Sequence, residues 1–268
     1  MTRTGIRVVM SGAGNMGRQI MTAIESAEDL ELIGALDGLS NESSVEIAGR
    51  EVPLSNSLGM LAVWLPDVVV DFSNAEWTVK LIPAAVEAGV RPVIGTSGLP
   101  DDVIAHAEQR VNDAGLGGVI AANFALGAVL MMHLANVAAP LFESVEIIEQ
   151  HHDGKVDAPS GTAVATAQSM RAARDRDFNR KDAERHNVEG YDTRGAELGG
   201  ASLHSVRLPG LVAHQVIIFG GNDETLTIRH DSMSRASFIP EILRAVRAAP
   251  ELDHLVVGLD RLLGLHAD

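Results

Sequence analysis

The hydrophobic and polar positions of this chain fall into two regimes that meet near residue 125. Before that point, short β-rich apolar runs alternate with longer stretches of helical spacing, the pattern of βαβ units feeding a parallel sheet. Runs at Ile6 to Met10, Leu30 to Leu36, Val68 to Phe72, Pro92 to Ile94 and Val119 to Ala121 predict strands. Met16, Ile20, Met21 and Ile24 recur at helical spacing behind the first run, and Ala75 to Ala88 and Asp101 to Ala114 read as further helices. The expected architecture of residues 1–125 is an α/β, doubly wound parallel sheet.

Beyond Asn123 the pattern changes. A long apolar helix, roughly Leu126 to Leu141, leads to a strand over Ser144 to Glu149 that delivers His151 and His152 at its end. Residues 175–201 are charged, Gly-bearing and weakly periodic, which predicts a long loop. Runs at Ser202 to Leu208, Val212 to Phe219 and Glu224 to His230 have the lengths of an antiparallel meander, with turns at Pro209-Gly210 and Gly220-Gly221-Asn222. Joined by the strand before His151, they would make a second, mixed sheet in an α+β domain. A helix over Ser237 to Ala248 follows, and the last twenty residues are too short to fold alone, so they are expected to pack on the first domain. The expected division is 1–125 with 236–268, and 126–235.

Composition narrows the function. With 46% apolar and 21% charged residues the chain has the make-up of an ordinary globular protein. A formal net charge of −15 opposes a protein built to hold nucleic acid or an acidic membrane surface. Cysteine is absent, which removes disulfides, thiolate metal sites and a cysteine nucleophile together. No apolar run approaches the ~20 residues of a membrane span, and the N-terminal residues lack the apolar stretch of a signal peptide, so a cytoplasmic protein is expected.

Gly12-Ala13-Gly14-Asn15-Met16-Gly17 matches G-x-G-x-x-G with a strand before it and a helix after it. The glycines permit a tight turn and close approach of a pyrophosphate to the helix N-terminus. Asp37 stands twenty residues beyond Gly17 at the end of the second strand, where a carboxylate can hydrogen-bond ribose hydroxyls. That carboxylate repels a 2′-phosphate and Gly38-Leu39-Ser40-Asn41 supplies no cation, so NADH is expected to bind better than NADPH. Arg18 is the one nearby group able to relax this. Phe72, Gly95-Thr96-Ser97 and Ala121-Ala122-Asn123-Phe124 occupy further strand ends along the edge where open α/β sheets bind ligands, and are candidate cofactor contacts.

Residues 149–163 concentrate two imidazoles, one lysine and a predicted helix start. Ser160 reads as an N-cap to an Ala-rich segment from Gly161 to Arg174, so nearby backbone N–H groups would face a bound carboxylate or phosphate. Lys155 is one of only three lysines against eighteen arginines, which argues against generic surface filler. Zinc is a competing reading of His151 and His152. Adjacent residues on a strand point to opposite faces and rarely ligate one ion, so no metal is assigned. An imidazole proton donor and an ammonium beside an anion-binding helix start is the favoured reading. Other schemes fail on inventory: Tyr191, the only tyrosine, has no Tyr-x-x-x-Lys context, and no Gly-x-Ser-x-Gly elbow occurs. His204, His214 and His230 fall on predicted strands, where structural histidines are the commoner outcome.

The chain resembles, over nearly its whole length, the bacterial dihydrodipicolinate reductase (4-hydroxy-tetrahydrodipicolinate reductase) family of diaminopimelate and lysine biosynthesis. The resemblance rests first on His151-His152-x-x-Lys155-Val-Asp-Ala-Pro-Ser160-Gly161-Thr162-Ala163. Gly95-Thr-Ser-Gly98, Ala121-Ala-Asn-Phe124, His204-Ser-Val-Arg-Leu208 and Leu226-Thr-Ile-Arg-His-Asp231 support it. It implies a Rossmann-type dinucleotide-binding domain, a second domain carrying the substrate site and tetramer contacts, and a C-terminal return to the first. It also implies a nicotinamide cofactor that delivers hydride to C4 of a cyclic dicarboxylate, with loss of the 4-hydroxyl as water. His151 would be the general acid, Lys155 a second donor that also binds substrate, and His152, Ser160, Gly161 and Thr162 the substrate-binding group. Two features depart from the family's pattern: Asp153-Gly154 where a basic or polar residue is commoner, and a glycine loop one residue shorter without its usual basic residue. The second departure again disfavours NADPH. A reductase of another small dicarboxylate and a non-catalytic NAD-binding regulator are the alternatives.

Overall fold

The computed structural model describes residues 5–179 and 193–265; of these, the residues up to 126 and from 235 on form one compact unit and those between 127 and 234 a second.

In the first unit β1 (Ile6–Ser11) runs into α1 (Asn15–Glu25) and β2 (Leu30–Leu36). A hairpin of β3 (Ser44–Ile47) and β4 (Arg50–Ser55) and a short α2 (Met60–Trp64) follow. Then come β5 (Val68–Asp71), α3 (Ala75–Glu87), β6 (Arg91–Ile94), α4 (Asp101–Asp113) and β7 (Gly118–Ile120). The hairpin was not anticipated. Its strands are polar on alternate positions and separated only by Ala48-Gly49, so neither carries the apolar run that marks the buried strands.

The second unit holds α5 (Leu126–Ala138), β8 (Ser144–His151), α6 (Gly161–Ala172), β9 (Ala196–Leu198), β10 (Ala201–Arg207), β11 (Ala213–Gly220) and β12 (Thr225–Ser232). The chain returns to the first unit with α7 (Ile239–Ala248), β13 (Leu255–Val257) and α8 (Leu259–Leu262). There β13 completes the first sheet by pairing in parallel with β7.

The first sheet has eight strands in the order β13-β7-β6-β5-β1-β2-β4-β3, parallel except for the β3–β4 hairpin. Strand order reverses between β1 and β5, and ligands of such sheets bind outside the carboxyl ends of the strands at that switch point. Val9, Val69, Ile94 and Ile120 are buried on these strands because the parallel sheet is covered, and they pack with Leu81 and Val111 of the helices.

The second sheet is mixed, ordered β12-β11-β8-β10-β9. The predicted meander of β10, β11 and β12 is not formed: β11 and β12 are an antiparallel pair, but β8 lies between β11 and β10 and pairs in parallel with β10. A central strand with apolar residues on one face satisfies two neighbours, which a terminal position in a meander would not. The loop predicted over residues 175–201 also needs correction, since β9 is an edge strand and Phe178 is buried in the second core; residues 180–192 lie outside the described residues, as do Tyr191 and His186. No helix among the described residues is long and apolar enough to cross a membrane.

Candidate active site

The glycine loop sits between β1 and α1 at the switch point. Gly12 has φ +97°, and a Cβ there would meet the Phe72 carbonyl oxygen at 2.7 Å. At Gly17 a Cβ would fall 1.8 Å from the Gly12 carbonyl oxygen, so only glycine lets the helix pack this close to the loop. Gly14 faces open space, with nothing within 4 Å of an added Cβ. The first turn of α1 has no side-chain cap and no acidic residue, which leaves its N–H groups and positive dipole end for an anion. Ala13 and Met16 are half-buried and Asn15 is exposed on the same turn. This cradle of bare backbone fits a dinucleotide pyrophosphate.

Asp37 follows β2 and accepts from the Ala13 N–H at 2.9 Å and the Leu39 N–H at 3.0 Å, so it braces the glycine loop. A cleft of about 370 Å³ opens here, lined among others by Gly12, Gly14, Asp37, Ser73, Trp77 and Lys80. Trp77 packs on Gly38, where a Cβ would be 2.4 Å from the indole, and donates its Nε1–H to Ser11 Oγ at 3.0 Å. Lys80 lines the same cleft as Asp37, a cation besides Arg18. It arrives from α3, too far along the chain for spacing to reveal, and its Nζ donates to Glu76 at 2.8 Å.

The other strand-end candidates gather along the same edge. The Phe72 ring lies against Gly95, where a Cβ would meet it at 2.1 Å, and stacks at 50° on Phe124 with centroids 5.7 Å apart. Thr96 is buried, with its hydroxyl directed to Asp71 at 2.8 Å, whereas Ser97 and Ala122 are exposed. Ala121 and Phe124 are buried, and the Asn123 side chain accepts from the Ala125 N–H at 2.9 Å. Phe124 and Thr96 therefore shape the edge from behind.

In the second unit, β8 alternates so that Val145, Ile147 and Glu149 share the buried face. Glu149, fully buried, is the group the sequence reading missed. It accepts from both terminal nitrogens of Arg207 at 2.8 Å, from the Ser160 N–H at 3.1 Å, and pairs with His151 Nδ1 at 2.6 Å. Arg207 is delivered by register, since β10 places it opposite His151 on β8. Burial, the largest single influence, pushes the Glu149 carboxyl up, but hydrogen bonds from Arg207, Ser205 and His151 outweigh it and hold the carboxyl at about 2. An ionised carboxylate accepts only, so Nδ1 of His151 carries its hydrogen and Nε2 is the ring's free position. Burial depresses the His151 pKa below 6.5, opposed by Glu149 and reinforced by the charges of Lys155 and Arg207.

The neighbouring candidates divide. His152 lies just past the end of β8 and is exposed, as is Asp153. Lys155 is mostly covered, and its Nζ donates to both carboxylate oxygens of Asp157 at 2.7 and 2.8 Å. Ser160 caps α6, its Oγ accepting from the Ala163 N–H at 3.2 Å, and at 2% exposure it forms the frame of the helix start rather than its face. Gly161 is exposed with nothing within 4 Å of an added Cβ, and the Gly161 and Thr162 N–H groups precede the one that Ser160 caps. With no acidic residue in its first turn, this helix start can take an anion. Two other strand histidines are paired with carboxylates: His204 with Glu146 at 2.9 Å and His214 with Asp231 at 2.7 Å.

Comparisons with known proteins bear on both units. Residues 6–124 match the model of the N-terminal part of dihydrodipicolinate reductase, and residues 127–263 that of its C-terminal part. A 4-hydroxy-tetrahydrodipicolinate reductase of Listeria welshimeri is 43% identical over 264 residues, covering 96% of this chain and 100% of the relative. One from Moorella thermoacetica is 44% identical over 266 residues, covering 96% and 98%. Among solved structures, the dipicolinate-bound dihydrodipicolinate reductase of Paenisporosarcina sp. TG-14 superposes with TM-score 0.85 at 37% identity, covering 96% of this chain and 99% of that one. An amine dehydrogenase of Mycobacterium smegmatis, 14% identical with TM-score 0.65, shares the fold alone. By these matches over both units, the chain belongs to the dihydrodipicolinate reductase family.

Proposed function

We propose that this protein reduces 4-hydroxy-tetrahydrodipicolinate to tetrahydrodipicolinate in diaminopimelate and lysine biosynthesis, as a cytoplasmic NAD(P)H-dependent reductase with His151 as general acid. The observation that carries the residue assignment is Glu149, which binds His151 Nδ1 and the Ser160 N–H at once and so joins a proton donor to an anion-binding helix start. The Gly161 and Thr162 N–H groups hold one substrate carboxylate, with His152 beside them. Lys155 turns from Asp157 to the dianion and acts as a second donor. The 4-hydroxyl leaves as water together with a hydrogen of the adjacent ring carbon, and a reduced nicotinamide, when bound, would supply the hydride to C4 of the unsaturated ring that results. The reaction consumes one proton, and His151 delivers it from Nε2 to the substrate carbon framework as negative charge builds there.

Asp37 is proposed to take the adenosine ribose hydroxyls, with NADH preferred because Lys80, the nearest cation in the cleft, is tied to Glu76. The exposed apolar residues Leu130, Leu134, Val137 and Leu141 of the second unit support assembly into a homotetramer through that unit. The test is an NADH-oxidation assay with substrate made freshly by the preceding synthase. Turnover is expected; oxidation with another dicarboxylate but not with this one overturns the substrate, and NADH binding with no turnover on any favours a regulator.

A further inference from the structure

Asp71, fully buried at the end of β5, has no cationic partner among the described residues and is instead ringed by hydroxyls. Its Oδ1 accepts from Ser11 at 2.7 Å and Ser73 at 2.6 Å; its Oδ2 accepts from Thr96 at 2.8 Å and contacts Thr78. Each hydroxyl owns one hydrogen. Among the described residues the Ser11 oxygen meets only Asp71 and the Trp77 Nε1–H donor, and the Thr96 oxygen only Asp71 and the Ser73 N–H donor. Both hydrogens are therefore committed to the carboxylate. Thr78 differs, because the Asn74 carbonyl at 2.9 Å shares its hydrogen.

Ser73 completes the set with an open side. Its hydrogen goes to Asp71, nothing else among the described residues bonds to its hydroxyl, and the residue lines the cleft. What it shows the cleft is thus lone pairs alone. We infer that Asp71 polarises Ser73 into an obligate hydrogen-bond acceptor for a hydroxyl of the dinucleotide's nicotinamide-side ribose, a specificity contact within the cofactor site proposed above. The strand order assigns the ribose. With the adenosine ribose over β2 at Asp37 and the pyrophosphate over the β1 glycine loop, the second ribose continues onto β5, where Ser73 stands. A phosphate at this point would find no donor in the Ser73 side chain.

Two probes isolate the contact: ADP-ribose carries the second ribose, and ADP ends at the pyrophosphate. Titration calorimetry on the full-length protein and on Ser73→Ala, checked for an unchanged melting curve, compares them. Ser73→Ala is expected to weaken ADP-ribose binding about 2- to 13-fold, the worth of one neutral hydrogen bond, while ADP binding stays as in wild type. Equal weakening of both probes, or weakening of neither, overturns the inference. Wild-type protein that binds neither probe would overturn the dinucleotide reading itself, an outcome distinct from lost discrimination in the variant.

Discussion

Glu149 and His151 stand two residues apart on one face of one strand, and the buried carboxylate holds the imidazole by Nδ1 at 2.6 Å. That bond selects the ring nitrogen available to substrate. Glu149→Gln offers an amide that can present either its oxygen or its NH2 to the ring, and it also loses the charge that matches Arg207. A fall in kcat of about 10- to 100-fold is expected, larger than any change in KM for NADH, in steady-state kinetics at saturating substrate.

Removing the donor itself is a stronger test. His151→Gln should lower kcat by roughly 10²-fold or more with KM changed less, as expected when a transition-state proton is lost while ground-state binding remains. Activity equal to wild type would remove His151 from the mechanism.

The titration of His151 should depend on what is bound. In the free protein burial depresses its pKa below 6.5, so the imidazole is neutral over more of the pH range than an exposed one. A dicarboxylate beside it favours the charged form. Following the ring proton by NMR, the midpoint is expected below 6.5 without ligand and higher with pyridine-2,6-dicarboxylate; an unchanged midpoint would place the ligand elsewhere.

Acid stability should report on Glu149. Its folded pKa, about 2, lies below the ordinary 4.5, so the unfolded chain takes up the proton first as pH falls. The stabilisation is present in full above about 4.5 and is lost progressively toward 2. Thermal melts of wild type should fall across this window, and Glu149→Gln should show a shallower fall from a lower starting melting temperature.

Asp71 makes a different demand on stability. Asp71→Asn places an NH2 donor among hydroxyls whose hydrogens already point inward, leaving buried donors face to face. Denaturant unfolding should show a loss of about 1–3 kcal/mol. An unchanged midpoint would mean that the hydroxyls turn and find other acceptors.

Much of the first unit was legible because buried parallel strands are continuous apolar runs, and Leu30–Leu36 was bounded to the residue. The hairpin at residues 44–55 lacked that signal. In the second unit, His151, Lys155 and the Ser160 cap were visible as local motifs, since each depends on neighbours within a few positions. Glu149 was recoverable by the two-residue period, which sets a carboxylate on the same face as Val145 and Ile147. Arg207 was not, because its approach depends on β10 pairing with β8, a connection of 58 positions that no periodicity encodes. Lys80 and Asp71 were hidden for the same reason: what they face is decided by the sheet order.

Arg207 also makes strand alignment a chemical variable. Its fork grips Glu149 while one nitrogen reaches the Asp157 carbonyl at 2.7 Å, and both contacts exist because β10 pairs with β8 in this alignment. Sliding β10 by a single residue would turn the guanidinium to the opposite face and leave a buried anion beside the imidazole without its paired cation. The turn that carries the chain out of β10 into β11 therefore bears on proton transfer, and its Leu208 N–H donates to the His151 carbonyl at 3.1 Å.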